Sequence, residues 1–124
     1  MSEKIVMSNL PKTWILDLDG TLVKHNGYKE DGHDTLLDSA NTVLKNIKED
    51  DLVVIITSRK KKYKKLTENF LQEHKIRFDV IVYEAPYGER IVVNDNKDTG
   101  LRMAYSFGGP RNDVNVPIRI DESL

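Results

Sequence analysis

The chain has 124 residues, of which 39% are hydrophobic and 31% charged, a balance typical of one folded domain and not of a disordered segment. Its 19 basic and 20 acidic side chains leave a net charge of −1, so the overall charge does not favour a nucleic-acid or anionic-membrane partner. The lack of cysteine excludes disulfides, zinc–thiolate sites and cysteine nucleophiles.

Nothing in the sequence divides the chain or marks it for a membrane. No apolar stretch approaches the length of a membrane span, and residues 1–13 lack the continuous apolar region of a signal peptide. We therefore expect no membrane partner and a cytoplasmic location. We also expect a single domain over residues 1–124, with its core at about residues 12–108 and a loosely ordered tail at 109–124.

The first half of the chain predicts a strand, a hairpin and a helix. The apolar run that begins at Trp14 stops at Asp17-Leu18-Asp19-Gly20-Thr21, as a buried strand does when it enters a loop. Asn26-Gly27 is typical of a tight turn and predicts a short β-hairpin flap. Between Asp34 and Ile47, apolar residues recur at helical spacing, which predicts a helix with Asp34 as its N-cap.

The second half predicts further strands around one helix. The β-branched run Leu52–Ile56 is typical of a central parallel strand buried on both faces. An apolar stripe from Tyr63 to His74 predicts a helix, and Phe78–Tyr83 predicts the next strand. A short strand is expected at Ile91–Val93, and the alternation over residues 101–107 predicts a half-exposed edge strand.

Alternating strands and helices predict an α/β fold, a Rossmann-like three-layer sandwich with a mainly parallel sheet. Ligands of such sheets bind beyond the carboxyl ends of the strands. Three strand ends carry polar residues suited to phosphate and metal chemistry, namely residues 17–21, 57–60 and 94–98.

Two of these ends supply carboxylates and a third supplies phosphate-binding groups. Asp17 and Asp19 lie on one side of an extended chain, where two ionised groups require a cation, and Mg²⁺ prefers such oxygen ligands. Asp95 would add a third carboxylate. Thr57 would hold a phosphoryl oxygen, and Arg59 or Lys60 would neutralise its charge.

The residues from 14 to about 98 resemble the haloacid dehalogenase (HAD) superfamily. Asp17-Leu18-Asp19-Gly20-Thr21 is similar to its DxDGT signature, and Leu52 to Thr57 is similar to its second motif, an apolar strand that ends in Thr or Ser. Asn94-Asp95 resembles its acidic fourth motif, although the first acid is replaced by Asn94.

The resemblance implies an Mg²⁺-dependent phosphomonoester hydrolase with an aspartyl-phosphate intermediate. Asp17 would be the nucleophile and Asp19 the general acid and then the general base. Mg²⁺ would be bound by Asp17, by Asp95 and by the main-chain carbonyl of Asp19. The substrate would contact the loops at the strand ends and the flap, at Gly20, Thr21, His25, Ser58, Arg59 and Lys97.

The third-motif lysine of the family has no counterpart in this sequence. Lys60 is the preferred substitute and Lys97 the next. Arg90 is the cation nearest by sequence, but a strand at Ile91–Val93 would place its backbone about 15 Å from Asp95, toward the far end of the sheet.

The intervals between the motifs leave no room for a cap domain. Capless relatives resemble either oligomers in which a neighbour closes the site or enzymes that act on large exposed phosphates. The favoured substrate is a small phosphorylated molecule, a sugar phosphate, in a monomer or a homo-oligomer. Two alternatives stay open, namely a phosphatase of protein or nucleic-acid ends and a non-catalytic phosphate- or metal-binding regulator.

Taken one at a time, the candidate site residues have simpler explanations. Asp-Gly is common in turns, so only the combination of three strand ends argues for a site. The basic run from Arg59 to Lys65 is typical of a solvated helix face, with the gathering of an anionic substrate as the alternative.

Overall fold

A computed structural model describes residues 3–124 of the chain. Five strands run in the order β1 (Ile5–Met7), β2 (Thr13–Asp17), β3 (Leu52–Ile56), β4 (Val80–Val82) and β5 (Ile118–Ile120). The helices are α1 (Gly27–Glu30), α2 (Asn41–Leu44) and α3 (Lys64–Glu73), with 3₁₀ turns at Asp38–Ala40 and Lys61–Tyr63. No helix within residues 3–124 is both long enough and apolar enough to span a membrane.

The main sheet contains three parallel strands in the order β2-β3-β4. Leu16 pairs with Ile55 and Asp17 with Ile56, while Ile55 pairs with Ile81 of β4. This arrangement confirms an α/β fold of Rossmann-like character with β3 as the central strand. It also brings the carboxyl ends of β2 and β3 side by side, because paired parallel strands end at the same edge.

The residues predicted to form a loosely ordered tail contain strand β5. This strand pairs with β1 in parallel, from Ile5 with Ile118 to Met7 with Ile120, as a separate two-stranded sheet. Val114, Val116 and Ile118 are buried, and the last two belong to the hydrophobic core. The tail prediction is therefore wrong, since burial of these side chains fixes the segment against the domain.

The hydrophobic core lies against one face of the main sheet. Trp14 and Leu16 of β2 and Val53 and Ile55 of β3 point into it, and Leu71 of α3 packs against them. Side chains beyond the strands complete it, namely Leu18, Leu22, Val23, Ala40, Val43, Ile76, Val116 and Ile118.

The opposite face of the main sheet is open to solvent. Leu52 of β3 is exposed there, as are Ile15 of β2 and Val80 and Val82 of β4. Parallel sheets are normally covered on both faces. The expectation that β3 is buried on both faces is therefore wrong: Val53 and Ile55 are buried on the core face, and Leu52 is exposed on the other.

Several predicted elements differ from the structure. No hairpin forms at Asn26-Gly27: Asn26 is left-handed (φ 56°), as a tight hairpin turn requires, but Gly27 instead begins the one-turn helix α1. The helix predicted over 34–47 is reduced to a 3₁₀ turn and α2. Neither Ile91–Val93 nor residues 101–107 form a strand, and residues 86–100 are exposed along their whole length.

Candidate active site

The site lies at the paired carboxyl ends of β2 and β3. Asp17 is the last residue of β2 and pairs with Ile56, so the loop that follows Asp17 adjoins Thr57 and the residues after it. The two strand ends that the sequence predicted to meet therefore do so. Residues 94–98, the third predicted strand end, do not extend the sheet.

A tight loop carries the chain away from β2 at Gly20. The amide groups of Leu22 and Val23 both donate to the Leu18 carbonyl, and Gly20 donates to the Val23 carbonyl at 2.7 Å. Gly20 has a φ of 85°, and a Cβ atom there would meet Arg111 Cγ at 3.2 Å. Glycine is favoured at this position both by its left-handed backbone and by the close approach.

The turn at residues 110–113 supports this loop from the C-terminal side. Asn112 donates its backbone N–H to the Gly20 carbonyl at 2.8 Å, and its side-chain oxygen accepts from the His25 backbone N–H at 2.8 Å. Asn112 adopts a φ of 69°, which asparagine tolerates better than most residues. This support could not be predicted from the sequence, which indicates a loosely ordered tail at residues 109–124.

The Asp17 side chain is accessible and held by two neighbours. Its carboxylate is 39% exposed, Oδ2 accepts from the Thr21 hydroxyl at 3.0 Å, and Oδ1 accepts from Arg90 Nη1 at 3.3 Å. The expectation that Arg90 lies at the far end of the sheet is wrong. It assumed a strand at Ile91–Val93, and without that strand the chain brings Arg90 to the Asp17 carboxylate.

The Asp19 side chain is held by a buried arginine. Its two oxygens accept from Nε and Nη2 of Arg59, both at 2.9 Å. Arg59 also donates to both oxygens of Asp34, at 3.0 and 2.6 Å, and to the Thr67 hydroxyl at 2.8 Å. A guanidinium has five N–H groups, and these contacts use all of them.

The Arg59 guanidinium is therefore engaged inside the protein. Its side chain is 1% exposed, and the Tyr28 ring covers it at 3.9 Å from Cζ to the ring centroid. Burial opposes its charge, but the hydrogen bonds with Asp19 and Asp34 outweigh burial and raise the pKa of Arg59. A direct contact between Arg59 and a substrate, as the sequence predicted, is not possible in this arrangement.

Thr57 is also turned inward. It is 1% exposed, its backbone N–H donates to Val82 O at 2.9 Å, and its hydroxyl accepts from the Arg59 backbone N–H at 3.1 Å. The Thr57 backbone N–H is thus already hydrogen-bonded to β4, so it does not serve as a donor to a phosphoryl oxygen in this arrangement. Ser58, beside it, is partly exposed.

The remaining predicted contacts lie around this centre. His25 packs near Gly20, and its ring Nδ1 lies 3.8 Å from where a Cβ of Gly20 would stand. Lys60 and Lys97 are exposed, and within residues 3–124 neither ammonium group forms an ion pair. The cation that contacts Asp17 is Arg90 instead.

The predicted Mg²⁺ ligands are the carboxylates of Asp17 and Asp95 and the main-chain carbonyl of Asp19. In the part of the chain that the structure describes, no three Asp, Glu or His side chains lie close enough to share a metal ion. Asp95 is exposed, and its carboxylate accepts only from the Asn94 side chain, at 3.4 Å. In this structure Arg90 and Arg59 balance the charges of Asp17 and Asp19, and Mg²⁺ binding stays a prediction.

A basic surface borders the site at the start of α3. We call it the α3 lysine cluster, and its exposed members are Lys60, Lys61, Lys62, Lys64 and Lys65. Four of them line an open depression of about 430 Å³. The cluster follows Arg59, which contacts Asp19, directly in sequence.

No protein-family model and no curated protein matches the chain. Solved structures do. A chain in a structure of the Pnkp1/Rnl/Hen1 complex is 31% identical with a TM-score of 0.51, and the match covers 67% of this chain and 31% of that one. A chain of the Pnkp1/Rnl/Hen1 RNA repair complex is 29% identical with a TM-score of 0.52, over 72% of this chain and 30% of that one.

This chain therefore spans less than a third of the length of the structures it matches. At 31% and 29% identity, this similarity supports the α/β fold. Membership of the HAD superfamily, expected from the DxDGT resemblance of Asp17 to Thr21, stays a prediction.

Proposed function

We propose that the protein is a phosphomonoester hydrolase in which Asp17 is the nucleophile. The observation that carries this proposal is the environment of the Asp17 carboxylate, which is accessible at the end of a parallel strand and contacted by Thr21 and Arg90. Asp19 lies two residues further along the same loop, within reach of a group bound at Asp17.

The chemistry has two steps. An Asp17 oxygen forms a bond to phosphorus while the ester P–O bond breaks, and the leaving oxygen takes a proton that Asp19 carries on a lone pair not used by Arg59. Asp19, now ionised, then takes a proton from water as the water oxygen attacks phosphorus. The bond between phosphorus and Asp17 breaks, which releases phosphate and restores both aspartates.

Thr21 and Arg90 have separate tasks in this mechanism. The Thr21 hydroxyl holds one Asp17 oxygen, which leaves the other oriented toward the substrate. The Arg90 guanidinium lies beside the attacking oxygen and balances the charge on the phosphoryl oxygens, the task that the sequence assigned to Lys60.

The substrate we favour is a phosphate at the end of a nucleic-acid strand. The similar chains belong to structures of the Pnkp1/Rnl/Hen1 complex, described as an RNA repair complex. The α3 lysine cluster adds a local reason, because a strand that ends at Asp17 can place its backbone phosphates on those lysines. A sugar phosphate, the favoured substrate from the sequence alone, would leave this surface unused.

The requirement for Mg²⁺ stays a prediction. None of the steps above uses a metal. Turnover that persists after exhaustive chelation would exclude the ion, whereas loss of turnover restored by Mg²⁺ would show that Asp17 and Asp95 come together when substrate and ion are present.

The experiment compares three substrates: an oligoribonucleotide with a terminal phosphate, a sugar phosphate and an aryl phosphate. We expect Asp17→Asn to abolish turnover of all three with the fold intact, because the amide cannot form the acyl-phosphate. Unchanged turnover in this variant would remove Asp17 from the nucleophile role. A wild-type protein inactive on all three would support the non-catalytic regulator.

Salt dependence identifies the substrate class. For the oligonucleotide, kcat/KM should fall steeply with salt, with a log–log slope of about −0.7 for each phosphate contacted. Replacing Lys61, Lys62 and Lys65 by Gln should flatten that slope, and Lys45→Gln, an exposed lysine outside the cluster, should not. Equal salt dependence for the oligonucleotide and the sugar phosphate would contradict the nucleic-acid proposal.

A further inference from the structure

Asp34 is a buried carboxylate that the proposed reaction does not use directly. The residue is 8% exposed and its side chain 1% exposed, so a substrate cannot reach it. The sequence assigned it to a helix N-cap, but the helix begins later and the carboxylate instead accepts two hydrogen bonds from Arg59.

Arg59 connects Asp34 to Asp19 through a rigid plane. One edge of the guanidinium, Nε and Nη2, donates to the two oxygens of Asp19, and the adjacent edge, Nη1 and Nη2, donates to the two oxygens of Asp34. The guanidinium is planar and both contacts are bidentate. The position of the Asp34 carboxylate therefore determines how the guanidinium is oriented toward the Asp19 carboxylate.

Two further side chains hold this plane in place. Thr67 of α3 accepts the remaining Nη1 hydrogen at 2.8 Å, and Tyr28 of α1 stacks on the guanidinium. The net stability of such a buried ion pair is small, because desolvation offsets the attraction. The main effect of these contacts is to orient Arg59. Arg59 in turn orients the Asp19 carboxylate, which exchanges a proton with the leaving group in the proposed reaction.

We propose that Asp34 is a positioning residue for Asp19 and acts through Arg59. The inference rests on the proposed function, since it assigns Asp34 a part in the proton transfer that Asp19 performs. Asp34 fixes the Arg59 plane, and the Arg59 plane fixes the Asp19 carboxyl group relative to Asp17.

Asp34→Asn tests the proposal with little change in shape. The amide nitrogen faces guanidinium N–H groups and cannot accept from them, so the plane turns and Asp19 moves with it. We expect kcat for the phosphorylated oligonucleotide to fall by about 10- to 100-fold with KM little changed, since small misplacements of catalytic groups have effects of this size. Aryl phosphates with good leaving groups should lose less, because they need less help from Asp19.

A double-mutant cycle separates positioning from a general structural defect. In Asp19→Asn, whose residual activity is followed with an activated aryl phosphate, adding Asp34→Asn should cause no further loss, because the residue through which Asp34 acts is already disabled. Fully additive losses would overturn the proposal.

Two variants guard against misfolding as the explanation. Thr67→Val removes one Arg59 contact at constant volume and should lower kcat in the same direction by less. Asp51→Asn removes a buried carboxylate away from the site and should lower stability with kcat retained. An inactive wild-type protein would overturn the proposed function and this inference together, whereas an active protein with unchanged kcat in Asp34→Asn would overturn this inference alone.

Discussion

The contact between Arg90 and Asp17 shows how a single side chain changes the assignment of a site. Both side chains are more than a third exposed, so water screens the pair and its contribution to stability is small. A bound phosphate would displace that water and leave the guanidinium beside the reacting oxygens. In the proposed reaction, the Arg90 charge therefore stabilises the reacting phosphoryl group much more than it stabilises the free protein.

Arg90→Met should lower kcat by roughly 100-fold, the size of effect found when one electrostatic donor is removed. Lys60→Met, which removes an exposed charge without an ion-pair partner within residues 3–124, should leave kcat within about twofold and raise KM modestly. The two constants must be measured separately in steady-state assays. Loss of kcat in Lys60→Met with Arg90→Met unaffected would restore the assignment made from the sequence.

Asp51 is expected to make folding sensitive to acid. Its carboxylate accepts from the Trp14 indole and from the backbone N–H groups of Lys12 and Lys48. Burial raises the pKa of Asp51, but the hydrogen bonds from these three donors outweigh it and leave that pKa below the usual 3.8. The stability that Asp51 contributes is thus fully present above about pH 3.8, the usual pKa, and is lost as the pH falls through the lowered pKa.

Asp51→Asn should lower the free energy of unfolding at neutral pH by about 2 kcal/mol, because in either orientation its amide nitrogen faces at least one N–H donor. The variant should also lose less stability than the wild type between neutral and acid pH. Urea titrations followed by Trp14 fluorescence measure both effects. Asp50→Asn, at the exposed neighbouring position, should behave as the wild type, and identical acid profiles for all three proteins would contradict the assignment.

Elements that bury apolar side chains continuously could be predicted from the sequence. Strand β3 has the bounds expected, Leu52–Ile56, and α3 lies within the stripe from Tyr63 to His74. The apolar spacing over 34–47 did not predict a continuous helix correctly, because it cannot show where short turns interrupt it. Strand β5 had a usable signal, the alternation of Val114, Val116, Ile118 and Ile120, which the proline at 117 obscured.

The site was predictable only in part. The position of Asp17 at a strand end follows from the apolar run before it, and its proximity to Thr57 follows from parallel pairing. The contacts of Arg59 and Arg90 do not follow, because they depend on where loops place long side chains after the chain has folded. Polar residues in a sequence do not reveal which of them face inward.

The pairing of β1 with β5 has a consequence for stability that distinguishes the structure from the sequence-based expectation. Ile118→Ala removes a buried side chain and should lower the free energy of unfolding by about 2–5 kcal/mol. Ile91→Ala, in the segment predicted as a sheet strand but 83% exposed, should change it by less than about 0.5 kcal/mol. Chemical denaturation of both variants makes the comparison, and the reverse order would support a strand at Ile91–Val93.

At the scale of the whole molecule, the accessible surface area is larger than expected for a folded monomer of this mass. It amounts to 8477 Å² for 14.3 kDa. A folded monomer of this mass is expected to expose about 6,800 Å². The difference is consistent with the irregular segment at residues 86–100 and with the uncovered face of the sheet β2-β3-β4, where Ile15, Leu52, Val80 and Val82 contact water in the native state.

That uncovered face affects the thermal behaviour of the chain. Unfolding raises the heat capacity because it brings new apolar surface into water, and small domains typically gain about 12–15 cal/mol/K per residue. Here much of the sheet is already hydrated before unfolding begins. We therefore expect calorimetry to give an increment below that range, and a value within it would show that the face is covered in solution. A smaller heat-capacity increment flattens the curve of unfolding free energy against temperature. The free energy of unfolding should therefore change little on heating or cooling from its maximum. The chain should also resist cold denaturation better than its size suggests.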